Sequence, residues 1–325
     1  MMIAVRRFFC LAAAVTAFSA LPGVGHAQVY PARPVHIVVG FAAGGPGDAL
    51  ARVMGQWLQE RLGQPFIIEN LPGASSNVAT EAVVNSPPDG HTLLLVVTAN
   101  AINATLFEQL NFNFVRDIAP VAGISRDPNA LVVNPLVPAK TFGEFVAYAK
   151  ANPGKISIAS PGRGTPAHVA GELLKIMAGI DLIQVPYRGA APALTDVLGG
   201  QVPVYMGAGS GSLESIKAGR LRVLAVTSDR RWQALPDVPT IGEFLNGYEA
   251  STWFGIGAPK NTPLEIVDKL NKEINAGLED DALKARISNL GGTVLPGSPA
   301  EFGRLIAQET EKWAKVVKSS GVKPD

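Results

Sequence analysis

The stretch ISIASPGRGTPAHVAGELL, from Ile156 to Leu174, joins a short apolar run to a glycine-rich segment and then to a helical pattern. This order predicts a buried strand, a loop and a helix, with Thr165 as the helix cap and Pro166 at the first helical position. The loop contains Gly162-x-Gly164-x-x-Ala167, which is the spacing of a dinucleotide-binding fingerprint. A capped helix N-terminus beside glycines also suits other small anions, so the loop alone leaves the ligand open.

The same alternation of strand-like and helix-like patterns continues along the chain. Four apolar, β-branched runs are typical of buried parallel strands: Val35–Gly40, Phe66–Glu69, Thr92–Val97 and Ile156–Ala159. Between the first two lies a helical pattern, Asp48–Arg61, with one apolar face made by Leu50, Val53, Met54, Trp57 and Leu58. The alternation predicts an α/β fold.

The first 27 residues have the composition of a secretory signal. Arg6 and Arg7 precede an apolar run from Phe8 to Leu21, and Gly25-His26-Ala27 supplies small residues before a cleavage point. We expect cleavage after Ala27 and export of the remaining chain. No later segment has the ~20 uninterrupted apolar residues that a membrane-spanning helix needs.

Charge and cysteine content exclude several classes of function. The chain has 28 Lys and Arg against 27 Asp and Glu, and the leader carries two of the arginines, so the mature balance is 26 − 27 = −1. Such a balance does not attract nucleic acid or an anionic membrane. The one cysteine, Cys10, lies in the leader, so the mature chain has no disulfide or thiolate chemistry.

Removal of the leader leaves roughly 300 residues, which favours two domains. Polar residues near Ser125–Asn129 and Gly247–Thr252 predict loops at two domain crossings. The last part contains three helical patterns without a new sheet: Pro263–Leu278, Asp281–Leu290 and Pro299–Ser319. We therefore expect residues 28–127 and 250–325 to form domain 1 and residues 128–249 to form domain 2, with a hinge and a ligand cleft between them.

Four predicted junctions run from a strand through small residues into a helix. They contain Gly44–Asp48, Gly73–Asn77, Gly162–Thr165 and Arg188–Gly189. Each junction exposes unpaired backbone amides at a helix N-terminus, which favours a small anion. A strand-to-helix turn also needs such residues for purely structural reasons, so the repetition of the pattern carries the binding hypothesis.

Two enzymatic alternatives lack their residues. The dinucleotide fingerprint needs an acid at the end of the next strand, whereas Asp181 precedes the strand Leu182–Val185. A hydrolase elbow, Gly-x-Ser-x-Gly, is absent, because Ala208 stands at the first glycine position before Gly209 and Ser210. A nucleotide-binding enzyme and an exported hydrolase remain the less favoured alternatives.

The mature chain retains three histidines, none with a partner at metal-ligand spacing: His36, His91 and His168. His168, in the first turn of the helix after Thr165, is the one expected near the cleft. Either a donor to a bound anion or an ordinary satisfied histidine fits it. We expect no cofactor and no metal.

Seven motifs occur in a specific order along the mature chain: YPARPVHIVVGFAAGGPGDALAR, IIENLPGASSNVATEAV, PPDGHTLLLVV, IASPGRGTPAHVAGELL, VPYRGAAPALTDVLGGQV, IKAGRLRVLAVTS and PDVPTIGE. In these motifs the chain resembles the periplasmic receptors of tripartite tricarboxylate transporters, also called Bug receptors, which implies a periplasmic location. The resemblance implies a type II periplasmic-binding-protein fold, in which two α/β domains close on one organic acid. It also implies the membrane subunits of a transporter as partners, and we expect a monomer. A receptor that presents its ligand to a signalling system is the alternative.

The resemblance also implies a set of ligand-binding residues. From domain 1 these are Phe41, Ala43, Gly44, Gly45, Gly47, Asp48, Ser75, Ser76, Asn77, Thr98 and Asn100. From domain 2 they are Ser160, Gly162, Gly164, Thr165, His168, Tyr187, Arg188, Ala208, Gly209 and Ser210. Arg188 suits either a carboxylate clamp or, as we favour, a surface or hinge ion pair.

One departure from the family pattern concerns the ligand. Many members have an acid in a stretch such as Met-Phe-Asp, whereas this chain has Met206-Gly207-Ala208-Gly209-Ser210. The missing acid removes a partner for a substrate ammonium group, which disfavours amino acids. The small residues are also expected to leave room for an aromatic or longer carboxylate.

Overall fold

The computed structural model describes residues 30–324. The predicted leader, with its cleavage point, lies outside the described residues. The strands are β1 (Val35–Val39), β2 (Phe66–Asn70), β3 (Thr92–Val97), β4 (Ile118–Asp127), β5 (Asn129–Val133), β6 (Ile156–Ser160), β7 (Leu182–Pro186), β8 (Val204–Ala208), β9 (Arg222–Val226), β10 (Thr252–Pro259) and β11 (Thr293–Val294).

The helices alternate with these strands, as the sequence predicts. They are α1 (Pro46–Leu62), α2 (Asn77–Val84), α3 (Thr98–Leu106), α4 (Phe114–Asp117), α5 (Phe142–Ala151), α6 (Pro166–Ala178), α7 (Ala190–Leu198), α8 (Gly209–Lys217), α9 (Leu264–Glu279), α10 (Asp281–Asn289) and α11 (Pro299–Ser320). Short 3-10 turns cover Ala74–Ser76 and Ile241–Glu243.

The strands form two mixed sheets. The first has the order β11-β4-β10-β3-β1-β2, and the second has the order β7-β6-β8-β5-β9. In the first sheet β1 lies parallel to β2 and β3, and in the second β6 lies parallel to β7 and β8. The buried apolar side chains of β3 explain its position inside the sheet, between β1 and β10.

The chain crosses between the sheets twice. β4 ends at Asp127 in the first sheet and β5 begins at Asn129 in the second. The return leads from β9 to β10, which pairs with β4 and β3. The expected polar loop at Ser125–Asn129 is wrong for its first residues, because Ser125, Arg126 and Asp127 pair with β10 and so continue β4.

Hydrogen bonds fix the chain at these crossings. Asn129 Nδ2 donates to the carbonyl of Ala250 at 2.9 Å, and the Asn129 amide donates to Thr227 Oγ1 at 2.9 Å. Asp127 accepts from Ser125 Oγ at 2.8 Å, and burial raises the pKa of the Asp127 carboxyl to about 7.

α11 connects the two halves of the molecule through its buried side chains. It packs against β4 and α3 of the first half and against α6 of the second. Its Glu309 is buried and accepts from the indole nitrogens of Trp253, at 3.2 Å, and Trp313, at 2.8 Å, and it also pairs with Lys312. One apolar core therefore continues from the first sheet through α11 and α6 to the second sheet.

No helix among the described residues is both long and apolar enough to cross a membrane.

Candidate functional site

The four predicted junctions lie at the carboxyl ends of parallel strands. α1 follows β1, α2 follows β2, α6 follows β6 and α7 follows β7. Because parallel neighbours end at the same edge of a sheet, the first two junctions share one edge of the first sheet and the other two share one edge of the second. We call residues 41–48, 73–77 and 98–103 the first wall, and residues 160–168, 187–190 and 208–210 the second wall.

The carboxylate of Asp48 holds the loop after β1 and is bonded to the protein itself. The Gly44 amide donates to Asp48 Oδ2 at 2.9 Å, and Arg52 donates to both carboxylate oxygens of Asp48, at 2.9 and 3.0 Å. The hydrogen bond from Arg52 is the main reason why the pKa of Asp48 lies below its usual value. Asp48 is buried, whereas Phe41, Ala43 and Gly44 are exposed.

The loop after β2 contains a left-handed turn without glycine. Ala74, Ser75 and Ser76 have φ angles of 43°, 53° and 80°. Each such residue costs roughly 1–3 kcal/mol and persists only where the surroundings hold it. Ser76 is fully buried against β1, since a Cβ on Gly40 would lie 2.0 Å from Ser76 Oγ.

Two asparagines of α3 hold this left-handed turn. Asn103 Nδ2 donates to the carbonyl of Ser75 at 2.7 Å and to Asn77 Oδ1 at 2.9 Å. Asn100 Nδ2 donates to Thr80 Oγ1 at 2.9 Å and to Ser76 Oγ at 3.4 Å. Asn103 was not predicted from the sequence, and its position in the helix that directly follows β3 was the available signal.

The other predicted residue at the start of α3 also has a structural partner. Thr98 Oγ1 accepts from the Trp253 amide at 2.7 Å, which ties α3 to β10. Both Thr98 and Asn100 are buried. Their hydrogen bonds support the first wall from behind.

The loop after β6 confirms the predicted cap. Thr165 Oγ1 accepts from the His168 amide at 3.3 Å and donates to the Gly162 carbonyl at 2.7 Å, and Pro166 begins α6. His168 is buried, and its Nδ1 accepts from the Gly164 amide at 2.8 Å. The Gly164 amide is therefore directed to His168.

The loop after β7 continues the pairing of the two strands. The Tyr187 amide donates to the Ser160 carbonyl at 2.9 Å, and the Gly189 amide donates to the Pro161 carbonyl at 2.7 Å. The Tyr187 hydroxyl donates to Asp196 Oδ2 at 2.6 Å, and burial together with this bond raises the pKa of Tyr187 to about 12.

Arg188, in the same loop, has a different environment from Tyr187. It is exposed, and no ion pair joins it to a carboxylate within residues 30–324. The favoured surface or hinge ion pair is therefore absent from the described part of the chain, which leaves the carboxylate-clamp alternative as a prediction.

Aromatic side chains fill the space beside the small residues at the end of β8. A Cβ on Gly207 would lie 2.0 Å from the Tyr205 hydroxyl, and a Cβ on Gly209 would lie 3.0 Å from the Trp232 ring. Ser210 approaches Gly291, whose Cβ would lie 2.7 Å from that of Ser210. The expected room for a longer ligand at Gly207 and Gly209 is thus taken by the protein's own rings.

The two walls approach each other beside α3. A Cβ on Gly164 of the second wall would lie 2.4 Å from Leu106 Cδ2, at the end of α3. Leu106 is buried by this contact and by the core that α11 and α6 share. The loop after β6 therefore lies directly against the helix that supports the first wall.

Several buried polar atoms at these walls have no hydrogen-bond partner among the described residues. They are Asn77 Nδ2 and Asn103 Oδ1 on the first wall and Ser160 Oγ on the second. Buried polar groups are almost always paired, so unpaired atoms on both walls indicate a site for a further hydrogen-bonding group. Tyr205, which sequence reasoning missed, also has a buried unpaired hydroxyl.

The described histidines do not assemble a metal site. Within residues 30–324, no group of three or more His, Cys, Asp or Glu side chains is placed to hold a metal ion. His36 pairs with Glu69 at 2.7 Å, and His91 Nδ1 lies 3.0 Å from the Asp89 carbonyl.

Comparison with known proteins gives the family. The family described as "Tripartite tricarboxylate transporter family receptor" matches residues 50–322. The chain belongs to this receptor family. It is 35% identical over 321 residues to protein BugT of Bordetella pertussis, a match that covers 96% of this chain and 98% of that protein.

Solved structures similar to this chain have the same fold. The Rpa4515 protein of R. palustris, solved with adipate, is 35% identical with a TM-score of 0.80, over 91% of this chain and all of that one. MatC of Rhodopseudomonas palustris, solved with bound malate, is 31% identical with a TM-score of 0.76, over 89% of this chain and all of that one. The receptor thus has the expected type II periplasmic-binding-protein fold, and it is a periplasmic solute-binding protein rather than an enzyme.

Proposed function

We propose that this receptor binds a small organic carboxylate between the first and second walls and delivers it to the membrane subunits of a tripartite tricarboxylate transporter. The observation that carries the proposal is the set of helix N-termini at both walls together with the unpaired donors Asn77 Nδ2 and Ser160 Oγ. Helix N-termini favour anions, and unpaired donors can replace the hydration of a carboxylate. Relatives solved with adipate and malate support the same ligand class.

The contacts divide the predicted residues into two roles. Asp48, Thr98, Asn100 and His168 hold the loops, because their polar atoms bond to the protein. The exposed loop after β1, the left-handed turn and the loops after β6 and β7 provide the ligand contacts. Arg188, exposed in the loop after β7, is a cation that can turn toward a carboxylate.

Closure of two domains traps the ligand. The domains are residues 28–127 with 250–325 and residues 128–249, and the crossings at Pro128 and near Ala250 act as the hinge. A ligand favours the closed state only through contacts that it gains there, so both walls must contribute. The receptor acts as a monomer, and a signal cleaved after Ala27 directs it to the periplasm.

The test measures ligand binding and the contribution of Ser160. Mono-, di- and tricarboxylates, aromatic acids and amino acids are screened by thermal shift, and hits are titrated by calorimetry. A ligand of the folded state raises the melting temperature with its concentration. We expect carboxylates to bind, and we expect glutamate and aspartate to bind no tighter than acids without an amino group.

Ser160→Ala tests the second wall without breaking a protein hydrogen bond. Its hydroxyl is buried and unpaired, so its removal should weaken carboxylate binding by roughly 2- to 10-fold, as for one hydrogen bond, and leave stability intact. Ser319→Ala is the control, because Ser319 is exposed near the end of α11 and lies outside both walls and both crossings. Equal affinities of the two variants would place the ligand elsewhere.

A further inference from the structure

Two neighbouring amide side chains on the first wall present one unused donor and one unused acceptor. Asn103 Nδ2 donates to Asn77 Oδ1 at 2.9 Å and to the carbonyl of Ser75 at 2.7 Å. These two bonds fix which end of each amide is nitrogen and which is oxygen. They leave Asn77 Nδ2 as the unused donor and Asn103 Oδ1 as the unused acceptor. We call these two side chains the amide pair.

The protein does not satisfy the amide pair by itself. Asn77 and Asn103 are 6% and 1% exposed, so bulk water does not reach the two unused atoms. A buried polar atom without a partner costs free energy, and two in contact residues are unusual. The arrangement indicates that a further group completes the pair.

The amide pair lies on the part of α3 that faces the second wall. Asn103 and Leu106 are three residues apart and therefore lie on neighbouring positions of one helix face. Leu106 contacts the second wall at Gly164. Asn77 follows the left-handed turn that Asn103 also holds, so the pair borders the proposed ligand position.

The chemistry of the pair selects the group that it can hold. A carboxylate only accepts hydrogen bonds and an ammonium group only donates them, so each would leave one atom of the pair unused. A hydroxyl both donates and accepts, and it can satisfy Asn77 Nδ2 and Asn103 Oδ1 together. We propose that the amide pair binds a hydroxyl group of the ligand, which makes hydroxycarboxylates the preferred substrate class.

This inference rests on the proposed function and makes it more specific. Malate has a hydroxyl and adipate does not, and relatives have been solved with each. Family membership therefore leaves the preference open, and the amide pair decides it for this chain.

The first experiment uses the wild-type mature protein and matched acids. Calorimetry compares malate with succinate and 2-hydroxyadipate with adipate. In at least one pair, the hydroxylated acid should bind about tenfold tighter or more, because it satisfies two buried atoms that the other acid leaves unpaired. Equal or tighter binding of the unhydroxylated acid in both pairs overturns the inference and indicates that water fills the site.

The second experiment removes the unused donor. Asn77→Ala deletes Nδ2 without adding an acceptor for the ligand hydroxyl, and Asn103 Nδ2 keeps its bond to the Ser75 carbonyl. The readout is the ratio of the affinities for the two acids of a pair, which should fall toward one. Asn85→Ala, at the other end of α2, removes an exposed amide and should keep the wild-type ratio.

The outcomes separate the inference from the proposed function. If Asn77→Ala keeps the wild-type ratio while it folds normally, the assignment to the amide pair is wrong. If carboxylates bind without a hydroxyl preference, the proposed function stands and the inference fails. If no carboxylate binds, the proposed function fails, and the inference fails with it.

Discussion

Gly164→Ala is the substitution whose free-energy cost follows most directly from the structure. Gly164 has a φ of +68°, and a Cβ there would lie 2.4 Å from Leu106 Cδ2. The left-handed backbone costs an alanine about 1 kcal/mol. The overlap with a buried leucine adds about 1–3 kcal/mol, as overpacking does in other cores.

The location of the overlap decides how this cost is observed. Gly164 lies on the second wall, and Leu106 lies at the end of the helix that supports the first wall, so the protein can relieve the overlap by opening. The affinity for a ligand of the closed state should then fall by about 5- to 150-fold, which corresponds to about 1–3 kcal/mol. Calorimetry with a carboxylate found in the screen measures the affinity, and urea unfolding measures the stability.

Gly179→Ala provides the matched control for the backbone term. Gly179 ends the same helix, α6, with a φ of +61°, and a Cβ there meets nothing within 4 Å. This variant should lose about 1 kcal/mol of stability and no affinity. Addition of Leu106→Ala to Gly164→Ala should restore part of the affinity by removing the overlap. If Gly164→Ala and Gly179→Ala match in both measurements, the contact between the walls is refuted.

Three further predictions follow from charged residues. Burial raises the pKa of Asp127, so the stability contributed by the protonated carboxyl is present below pH ~4 and is lost as the pH rises through about 7. Asp127→Asn should remove this fall in the free energy of unfolding, measured by urea unfolding between pH 4 and 8. Arg52 lowers the pKa of Asp48, so the contribution of the Asp48 carboxylate to stability is present above pH ~4 and is lost on acidification. Asp48→Asn should therefore lower the free energy of unfolding by about 1–2 kcal/mol at pH 7, and a difference from wild type that stays constant down to pH 2 would contradict this. Glu309→Ala leaves two buried indole nitrogens without an acceptor and should lower the free energy of unfolding by about 3–5 kcal/mol, whereas Glu309→Gln keeps one acceptor and should lower it less. Equal melting temperatures of the two variants would show that the acceptor is unimportant.

The sequence predicts the regular elements well because apolar periodicity determines them. The strand predicted at Thr92–Val97 is confirmed with the same bounds, and the helix predicted at Pro299–Ser319 extends by one residue. The helix cap at Thr165 is confirmed because threonine followed by proline has a local physical cause. The polar residues Ser125–Asp127 misled the prediction, since their pairing with β10 depends on residues far along the chain.

The details of the candidate site depend on distant contacts that local patterns do not contain. The left-handed turn at Ala74–Ser76 has no glycine, and it is held by Asn103, 28 residues after Ser75. In the same way, Gly207 suggests open space until the folded chain places the Tyr205 hydroxyl there. Glycines and hydroxyls indicated where the site should lie, but the partners of each atom required the fold.

The place of β10 in the first sheet has a consequence for how the chain folds. β10 lies between β3 and β4, although it follows the entire second sheet in the sequence. During synthesis, the edges of β3 and β4 that pair with β10 therefore stay unpaired until β10 has been synthesised. The strands of the second sheet, within residues 129–226, can pair with one another earlier. Because β3 is almost wholly apolar, a chain that stops before Thr252 would expose an apolar strand with an unpaired edge. Such a fragment should aggregate or be degraded rather than persist as a stable folded protein.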